Sequence, residues 1–106
     1  MQISCKILGH TATVELSGEL DQHSAPQVRD KLEACLDRGV TRIVYNMAGV
    51  TFMDSSGIGV ILGRYRRLSS VHGSMDIVSA PESVSRILRM SGVYRLCTKE
   101  DEVYEK

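Results

Sequence analysis

The sequence predicts a single α/β domain in which a mixed β-sheet begins with an antiparallel hairpin, continues with parallel strands and carries helices packed against it. Apolar residues alternate in two segments near the start, and two later segments repeat apolar residues at helical spacing around a β-rich run. A chain of 106 residues, 42% hydrophobic and 25% charged, has the size of one compact domain. We therefore expect one domain over residues 1–106.

Two β-strands are predicted at the start of the chain. Apolar residues occupy alternate positions in residues 2–8 and again in residues 11–17, a pattern typical of strands with one buried face. The dipeptide Gly9-His10 separates the two runs at hairpin spacing. We therefore expect an antiparallel pair.

A first helix is predicted to begin at Ser24. The segment Ser24-Ala-Pro-Gln27 combines an N-cap hydroxyl, a proline in the first turn and a Gln three positions after the cap, as in a capping box. Gly39 stands where a left-handed residue would end the helix. The apolar residues at helical spacing between these signals are Ala25, Val28, Leu32, Cys35 and Leu36.

A central strand and a second helix are predicted next. Residues 41–47 are β-rich and almost continuously apolar, which predicts a strand buried on both faces. Asp54 and Ser55 offer side-chain acceptors for the start of the following helix. The apolar stripe expected to face the core in that helix is Ile58, Ile61, Leu62, Tyr65 and Leu68.

The last third of the chain is predicted to alternate strand and helix again. A strand is expected over residues 75–79, and residues 79–82 repeat the capping pattern before a third helix that ends at Gly92. A short strand is predicted over residues 93–97. A polar helix or a frayed tail is predicted over residues 98–106.

Charge and cysteine content exclude several classes of protein. The 13 Lys and Arg residues balance 13 Asp and Glu residues, so no net field attracts nucleic acid or an anionic membrane. The three cysteines form no C-x-x-C pair, which argues against a disulfide framework or a zinc site. The lack of a disulfide pattern fits the reducing cytoplasm, where we expect this protein, and no apolar run approaches the length of a membrane span. The three histidines show no ligand spacing, so no metal site is expected.

The Gly-rich junction over residues 53–59 is the strongest candidate site, because ligands of parallel sheets gather where strands end. It lacks the G-x-S-x-G elbow of hydrolases, and no S-x-x-K or P-loop motif occurs in the chain. Gly57, Gly59 and Gly63 have a spacing one residue too long for the dinucleotide fingerprint. An enzyme is therefore not expected, although a small nucleotide- or ligand-binding enzyme using this junction stays open as an alternative.

Ser56 has a further possible role at this junction. One interpretation of the Asp-Ser-Ser-Gly segment is helix capping alone. If Asp54 or Ser55 caps the helix, however, Ser56 lies in the first turn beside unpaired backbone N–H groups and the positive end of the helix dipole. A phosphate is tolerated there, so a modification can change the surface without unfolding the domain.

Four segments together resemble anti-anti-sigma factors of the STAS family. Residues 50–67 (Val-Thr-Phe-Met-Asp-Ser-Ser-Gly-Ile-Gly-Val-Ile-Leu-Gly-Arg-Tyr-Arg-Arg) closely resemble the family's phosphorylation-site region. Ser17-Gly-Glu-Leu-Asp21, Ile43-Val-Tyr-Asn46 and Met90-Ser-Gly-Val93 match other family segments in the same order. The resemblance therefore implies a single STAS-like domain, and the Asn within the third segment is similar to the sporulation branch of the family.

The resemblance implies a regulator without enzymatic activity. In such proteins the unphosphorylated form binds an anti-sigma factor that is also a serine kinase, which releases a sigma factor of the sigma-F type. The kinase uses ATP to phosphorylate the second serine of the pair, here Ser56, and a serine phosphatase reverses the modification. No cofactor of its own is implied. A STAS regulator of another stress-response pathway is the alternative within the family.

The partner surface is expected around Ser56, and the resemblance assigns Asp21 and Asp54 to its rim.

The outward side of the second helix offers further candidate contacts. Val60 is expected to point away from the core stripe as a docking anchor. Gly59 and Gly63 line one side of the helix, where either another element of the domain or the partner packs closely. Arg64, Arg66 and Arg67 are expected to form either a basic ridge for the partner or a solvated face. The residues predicted to bind the partner are Asp21, Asp54, Ser55, Gly57, Ile58, Gly59, Val60, Arg64 and Arg67.

Overall fold

A computed structural model describes residues 1–98 of the chain. The predicted tail beyond Thr98 lies outside these residues. The elements in chain order are β1 (Gln2–Leu8), β2 (Thr11–Leu20), α1 (Ala25–Asp37), β3 (Arg42–Met53), α2 (Ser55–Ser69), β4 (Ser74–Val78), α3 (Glu82–Met90) and a single 3-10 turn (Val93–Leu96).

One four-stranded sheet, in the order β1-β2-β3-β4, organises the domain. β1 pairs with β2 antiparallel, whereas β2 with β3 and β3 with β4 are parallel. Gly9 turns the hairpin with φ +65°, a conformation that glycine adopts without strain. The predicted fold class, a mixed sheet with an amino-terminal hairpin, is confirmed.

The helices α1 and α2 cover one face of the sheet. Ile43, Tyr45 and Met47 of β3 are fully buried on that face. Val44 and Asn46, which point to the opposite face, are only partly covered. The prediction of a central strand was correct, but burial on both faces was wrong, because the helices pack mainly on one side.

Both predicted capping boxes are absent from the structure. The Ser24 hydroxyl makes no hydrogen bond to the N-terminus of α1; it donates to the Glu19 carbonyl oxygen at 2.7 Å. α3 starts after Pro81 without a side-chain cap. Since a hydroxyl can bond to a loop carbonyl as well as to a helix N–H, the sequence pattern located the helix starts but not their hydrogen bonds.

The predicted strand over residues 93–97 is a 3-10 turn instead. Gly92, with φ +86°, reverses the chain at the end of α3. Val93 and Tyr94 are then buried, and the Tyr94 hydroxyl lies 2.8 Å from Ser85 Oγ on α3. Packing against α3 therefore prevails over pairing with the sheet.

The carboxyl ends of β2 and β3 lie side by side, with Leu20 paired to Met53. Two register shifts in the β2–β3 ladder precede this point, opposite Glu15–Ser17 and Gly18–Glu19 of β2, and at each the extra residue belongs to β3. Such irregularities increase local twist and re-aim the strand ends. As a result, the loops that follow both strands emerge next to each other.

Candidate functional site

The loops after β2 and β3 meet at one edge of the sheet. Asp21 follows β2 directly, and Asp54 follows β3. The Asp54 backbone N–H donates to the Leu20 carbonyl oxygen at 3.3 Å, which joins the two loops. Two residues that are far apart in the sequence, Asp21 and Asp54, therefore flank the start of α2.

Asp54 is the N-cap of α2. Its backbone is extended (φ −124°, ψ −168°), and its side-chain Oδ1 accepts a hydrogen bond from the Ser56 N–H at 2.8 Å. The Asp54 carbonyl oxygen accepts from the N–H groups of Gly57 and Ile58 at 3.1 and 3.3 Å. The predicted cap at Asp54 or Ser55 is confirmed, and Asp54 fills the role.

Ser56 occupies the first turn of α2 and is partly exposed, while Ser55 is exposed. Asp54 holds only the backbone N–H of Ser56. Within residues 1–98 no group forms a hydrogen bond to the Ser56 hydroxyl. The hydroxyl is therefore reachable from solvent and can accept a phosphate without breaking a side-chain hydrogen bond.

Asp21 forms a tight turn at the other side of the site. Its Oδ1 accepts hydrogen bonds from the backbone N–H groups of His23 and Ser24 at 2.9 and 3.0 Å. These bonds, that from Ser24 above all, hold the pKa of Asp21 below its ordinary value. The Asp21 carboxylate is therefore charged at neutral pH and fixed in direction.

A shallow depression of about 520 Å³ lies between these two loops, lined by Asp21, Gln22, His23, Phe52 and Asp54. Phe52 is 48% exposed, although large aromatic side chains are usually buried. Sequence reasoning did not assign Phe52 to this site, because the predicted strand ended at residue 47. The signal present in the sequence was the β-rich run after Gly49, which extends β3 to Met53.

Gly57 is buried beneath the first turn of α2 rather than presented to a partner. A Cβ at Gly57 would lie 2.8 Å from Leu20 Cγ and 2.9 Å from Met53 Cγ. The helix start thus packs directly on the ends of β2 and β3 because this residue has no side chain. Gly57 fixes the height of Ser56 above the sheet.

Val60 also belongs to the core, with only 8% of its surface exposed. The expectation that it points away from the core was wrong. The buried face of α2 carries Gly57, Val60, Ile61 and Leu68, so it is rotated by about one residue from the predicted stripe. Ile58, predicted to begin that stripe, is half-buried and packs on the edge of the core.

Gly59 and Gly63 lie on the open side of the same helix. A Cβ at either position would meet no atom within 4 Å, counting neighbours in the part of the chain that is described. Packing by another element of the domain, one of the two expectations for these glycines, is therefore wrong. They leave a smooth strip of backbone next to Ser56.

Arg64 and Arg67 are engaged within the domain. Arg64 Nε lies 2.7 Å from Glu33 Oε2, and Arg67 Nη2 donates to Asp37 Oδ1 at 2.8 Å. Arg67 also bonds to Glu33, and both hydrogen bonds, with Asp37 foremost, raise the pKa of Arg67. We call these four residues the α1–α2 ion cluster. The expectation of a ridge of available guanidinium groups was wrong for this pair; Arg66 is exposed.

Among residues 1–98, no group of three or more His, Cys, Asp or Glu side chains is arranged to hold a metal ion. None of the helices in this range combines the length and the apolar character needed to cross a bilayer.

The sequence and the fold both have known relatives. The family model described as the STAS domain matches residues 2–105. An anti-sigma F factor antagonist from Paenibacillus polymyxa is 43% identical over 84 residues, which cover 78% of this chain and 72% of that protein.

Two solved structures of SpoIIAA have the same fold. The unphosphorylated form of this anti-sigma factor antagonist superposes with a TM-score of 0.79 at 31% identity, covering 96% of this chain and 93% of the other. The phosphorylated form, from Bacillus, gives 0.71 at 30% identity, covering 98% of both chains. With these likenesses over nearly the whole of its length, the chain belongs to the STAS domain family of anti-anti-sigma factors.

Proposed function

We propose that this protein is an anti-sigma factor antagonist that phosphorylation of Ser56 switches off. The unphosphorylated form binds an anti-sigma factor that is also a serine kinase, similar to SpoIIAB, and so releases a sporulation sigma factor of the sigma-F type. The observation that carries the proposal is the state of Ser56. The residue is partly exposed, and its hydroxyl has no hydrogen-bond partner among residues 1–98, whereas its backbone N–H donates to the Asp54 side chain. A relative named as an anti-sigma F factor antagonist supports it.

The switch acts through local charge. A phosphoserine carries about −1.5 to −2 charges at neutral pH. Placed at Ser56, it lies beside the Asp54 carboxylate and near the positive end of the α2 dipole. The dipole stabilises the phosphate on the scaffold, while the added bulk and negative charge oppose a partner that fits the unmodified surface.

The surface around Ser56 has features suited to docking. The fixed carboxylate of Asp21 and the exposed face of Phe52 border the depression. An Arg or Lys side chain of the partner fits this combination, since a carboxylate attracts the cation and an aromatic face contacts it. The strip at Gly59 and Gly63 lets a partner approach the α2 backbone closely.

The remaining parts of the cycle lie with the partners. The kinase transfers a phosphate from ATP, and a serine phosphatase similar to SpoIIE removes it. The antagonist itself has no catalytic role. We place the cycle in the cytoplasm, with neither nucleic acid nor membrane as a direct partner.

The predicted contact residues divide into two groups. Those that keep a role at the surface are Asp21, Asp54, Ser55, Ile58 and Gly59. Gly57, Val60 and Arg64 act from beneath it by holding α2 in place, and Arg67 acts through its ion pairs to α1.

Phosphorylation with purified partners tests the proposal. The protein is mixed with a sigma-F type anti-sigma kinase and ATP, and the phosphate is located by mass spectrometry. We expect one phosphate on Ser56; Ser56→Ala should stay unmodified while still binding the kinase. The matched variant Ser55→Ala should still be phosphorylated. Stoichiometric phosphorylation of Ser56→Ala would contradict the proposal, and modification only by the kinase of another stress pathway would favour the alternative branch.

A further inference from the structure

The two edges of the sheet differ in how they are covered. At the β4 edge, the Thr98 backbone N–H donates to the Met75 carbonyl oxygen at 3.2 Å, so another segment already lies against that strand. β1 forms the opposite edge, and among residues 1–98 no segment pairs with its outer side. It contains no proline, and its pairing with β2 runs from Gln2 to Leu8 without a register shift. β1 therefore lacks the usual obstacles to further strand pairing.

The turn of the hairpin fixes which backbone groups of β1 point outward. Gly9 has φ +65°, whereas φ of His10 is negative, as in a type II′ turn. Such a turn joins Leu8 and Thr11 by a hydrogen bond, and residues along an antiparallel pair alternate between bonded and non-bonded positions. Every second residue of β1 therefore directs its N–H and C=O away from β2. These residues are Ile3, Cys5 and Ile7.

The side chains of the same three residues have apolar surface that the domain leaves uncovered. Ile3, Cys5 and Ile7 are only partly buried and pack on the rim of the core. Ser4 and Lys6, which alternate with them, are exposed. A strand added at this edge would thus supply both hydrogen bonds and apolar contacts to the same three residues.

The residue pattern of β1 is complementary to itself. If a second β1 pairs antiparallel about a two-fold axis at Cys5, Cys5 lies opposite its own copy and Ile3 lies opposite the second Ile7. Every outward N–H and C=O group then finds a partner. Lys6 faces Ser4 in this register, whereas an axis at Lys6 would place two like charges opposite each other. An axis at Ser4 would leave Ile7 unpaired.

We propose that β1 is a homodimerisation edge, at which a second copy of this chain pairs antiparallel about Cys5 and joins the two four-stranded sheets into one. An interface with two-fold symmetry uses the same surface of both copies, so the assembly closes at two chains. The surface is separate from the Ser56 switch and does not depend on it.

Two features limit the strength of this dimer. One pair of strand edges is smaller than the interface of a permanent dimer, so we expect a reversible equilibrium between monomer and dimer. Lys31 and Arg38 of α1 line the cleft beside β1, and a second copy brings the same cations toward the axis. Because salt screens their repulsion, the dimer should form more readily at high salt.

Amide hydrogen exchange of the full chain at low and high protein concentration, in high salt, tests the proposal. Sedimentation equilibrium of the same samples gives the fraction of dimer. We expect exchange at the amides of Ile3, Cys5 and Ile7 to slow in proportion to that fraction. The amides of Ser4 and Lys6, which face β2, should already exchange slowly at low concentration.

Two substitutions at one position form a matched pair. Cys5→Pro removes an N–H that points away from β2, so it should leave the hairpin intact and abolish the dimer. Cys5→Ser keeps this N–H and a side chain of similar size, and should still form the dimer.

The wild-type exchange pattern decides the question even if Cys5→Pro folds poorly. A dimer with slowed exchange at Ile3, Cys5 and Ile7 supports the proposal. A monomer at every concentration overturns it. A dimer in which these three amides exchange as in the monomer, or an assembly larger than a dimer, overturns it as well.

Discussion

The two halves of α2 differ in how far their polar groups are used within the domain. At the amino end, Ser56 keeps an unbonded hydroxyl and Gly59 faces open space, counting only residues 1–98. In the second half, Arg64 and Arg67 are paired with acids of α1. One helix thus combines an anchored half with a half left available, which allows its surface to change while its position does not.

The largest effect should come from placing a permanent charge on the available half. Ser56→Glu is expected to weaken binding of the anti-sigma kinase at least about tenfold, or ~1.4 kcal/mol, because the new carboxylate lies beside Asp54. Isothermal titration calorimetry measures this. Ser69→Glu, at the other end of the same helix, is the control and should leave the affinity unchanged; an equal loss there would mean that overall charge, not position, matters.

A pair of glycines tests the boundary between buried and open sides of the helix. Gly57→Ala forces a Cβ against Leu20 and Met53 and should lower the free energy of unfolding by about 1–3 kcal/mol. Gly59→Ala meets no atom and should raise it by up to about 1 kcal/mol through helix propensity.

Urea unfolding of both variants checks these signs. Gly59→Ala should nevertheless bind the kinase more weakly, since its methyl group stands in the smooth strip. A destabilised Gly59→Ala, or a stabilised Gly57→Ala, would reverse the assignment of the two sides.

The anchored half can be weakened one arginine at a time. Only 14% of the Arg64 side chain is exposed, so Arg64→Ala should lower the free energy of unfolding by about 1–3 kcal/mol. Arg67 is 40% exposed, so Arg67→Ala should lower the melting temperature less. Thermal unfolding at low and high salt separates them, because salt screens the exposed pair more. A larger loss for Arg67 would contradict this order.

The smallest effect concerns the charge of Asp21. Since its pKa in the folded protein lies below the ordinary 3.8, the ionised carboxylate stabilises the fold above that pH, and this contribution disappears as the pH falls through the folded value. Asp21→Asn keeps an acceptor oxygen but loses the charge. The stability difference between wild type and variant should therefore be constant near neutral pH and shrink below 3.8. An NMR titration midpoint of Asp21 above 3.8 would disprove it.

Local signals in the sequence were sufficient for much of the fold. The alternation in β1 and β2 and the glycine turn at Gly9 depend on neighbouring residues and were predicted correctly. The cap of α2 was predicted at Asp54 or Ser55, and Asp54 fills it. The same holds for the placement of Ser56 in the first turn of α2.

Features that depend on packing between distant segments could not be predicted in this way. The face of α2 that buries Val60 is set by the ends of β2 and β3, and the 3-10 turn at Tyr94 is set by Ser85 on α3. The exposure of Phe52 and the pairing of Arg64 with Glu33 likewise join residues far apart in the chain. Periodicity within one helix or strand contains no information on such partners.

The backbone amide spectrum of the protein before and after phosphorylation tests the central claim most directly. We expect the amide chemical shifts to change at residues 21–24 and 52–60, where the two loops and the first turn of α2 meet. Amides of β1, β4 and α3 should keep their positions, because the scaffold is unaltered. Widespread chemical-shift changes in those elements, or changes centred on a residue other than Ser56, would contradict a local switch at Ser56.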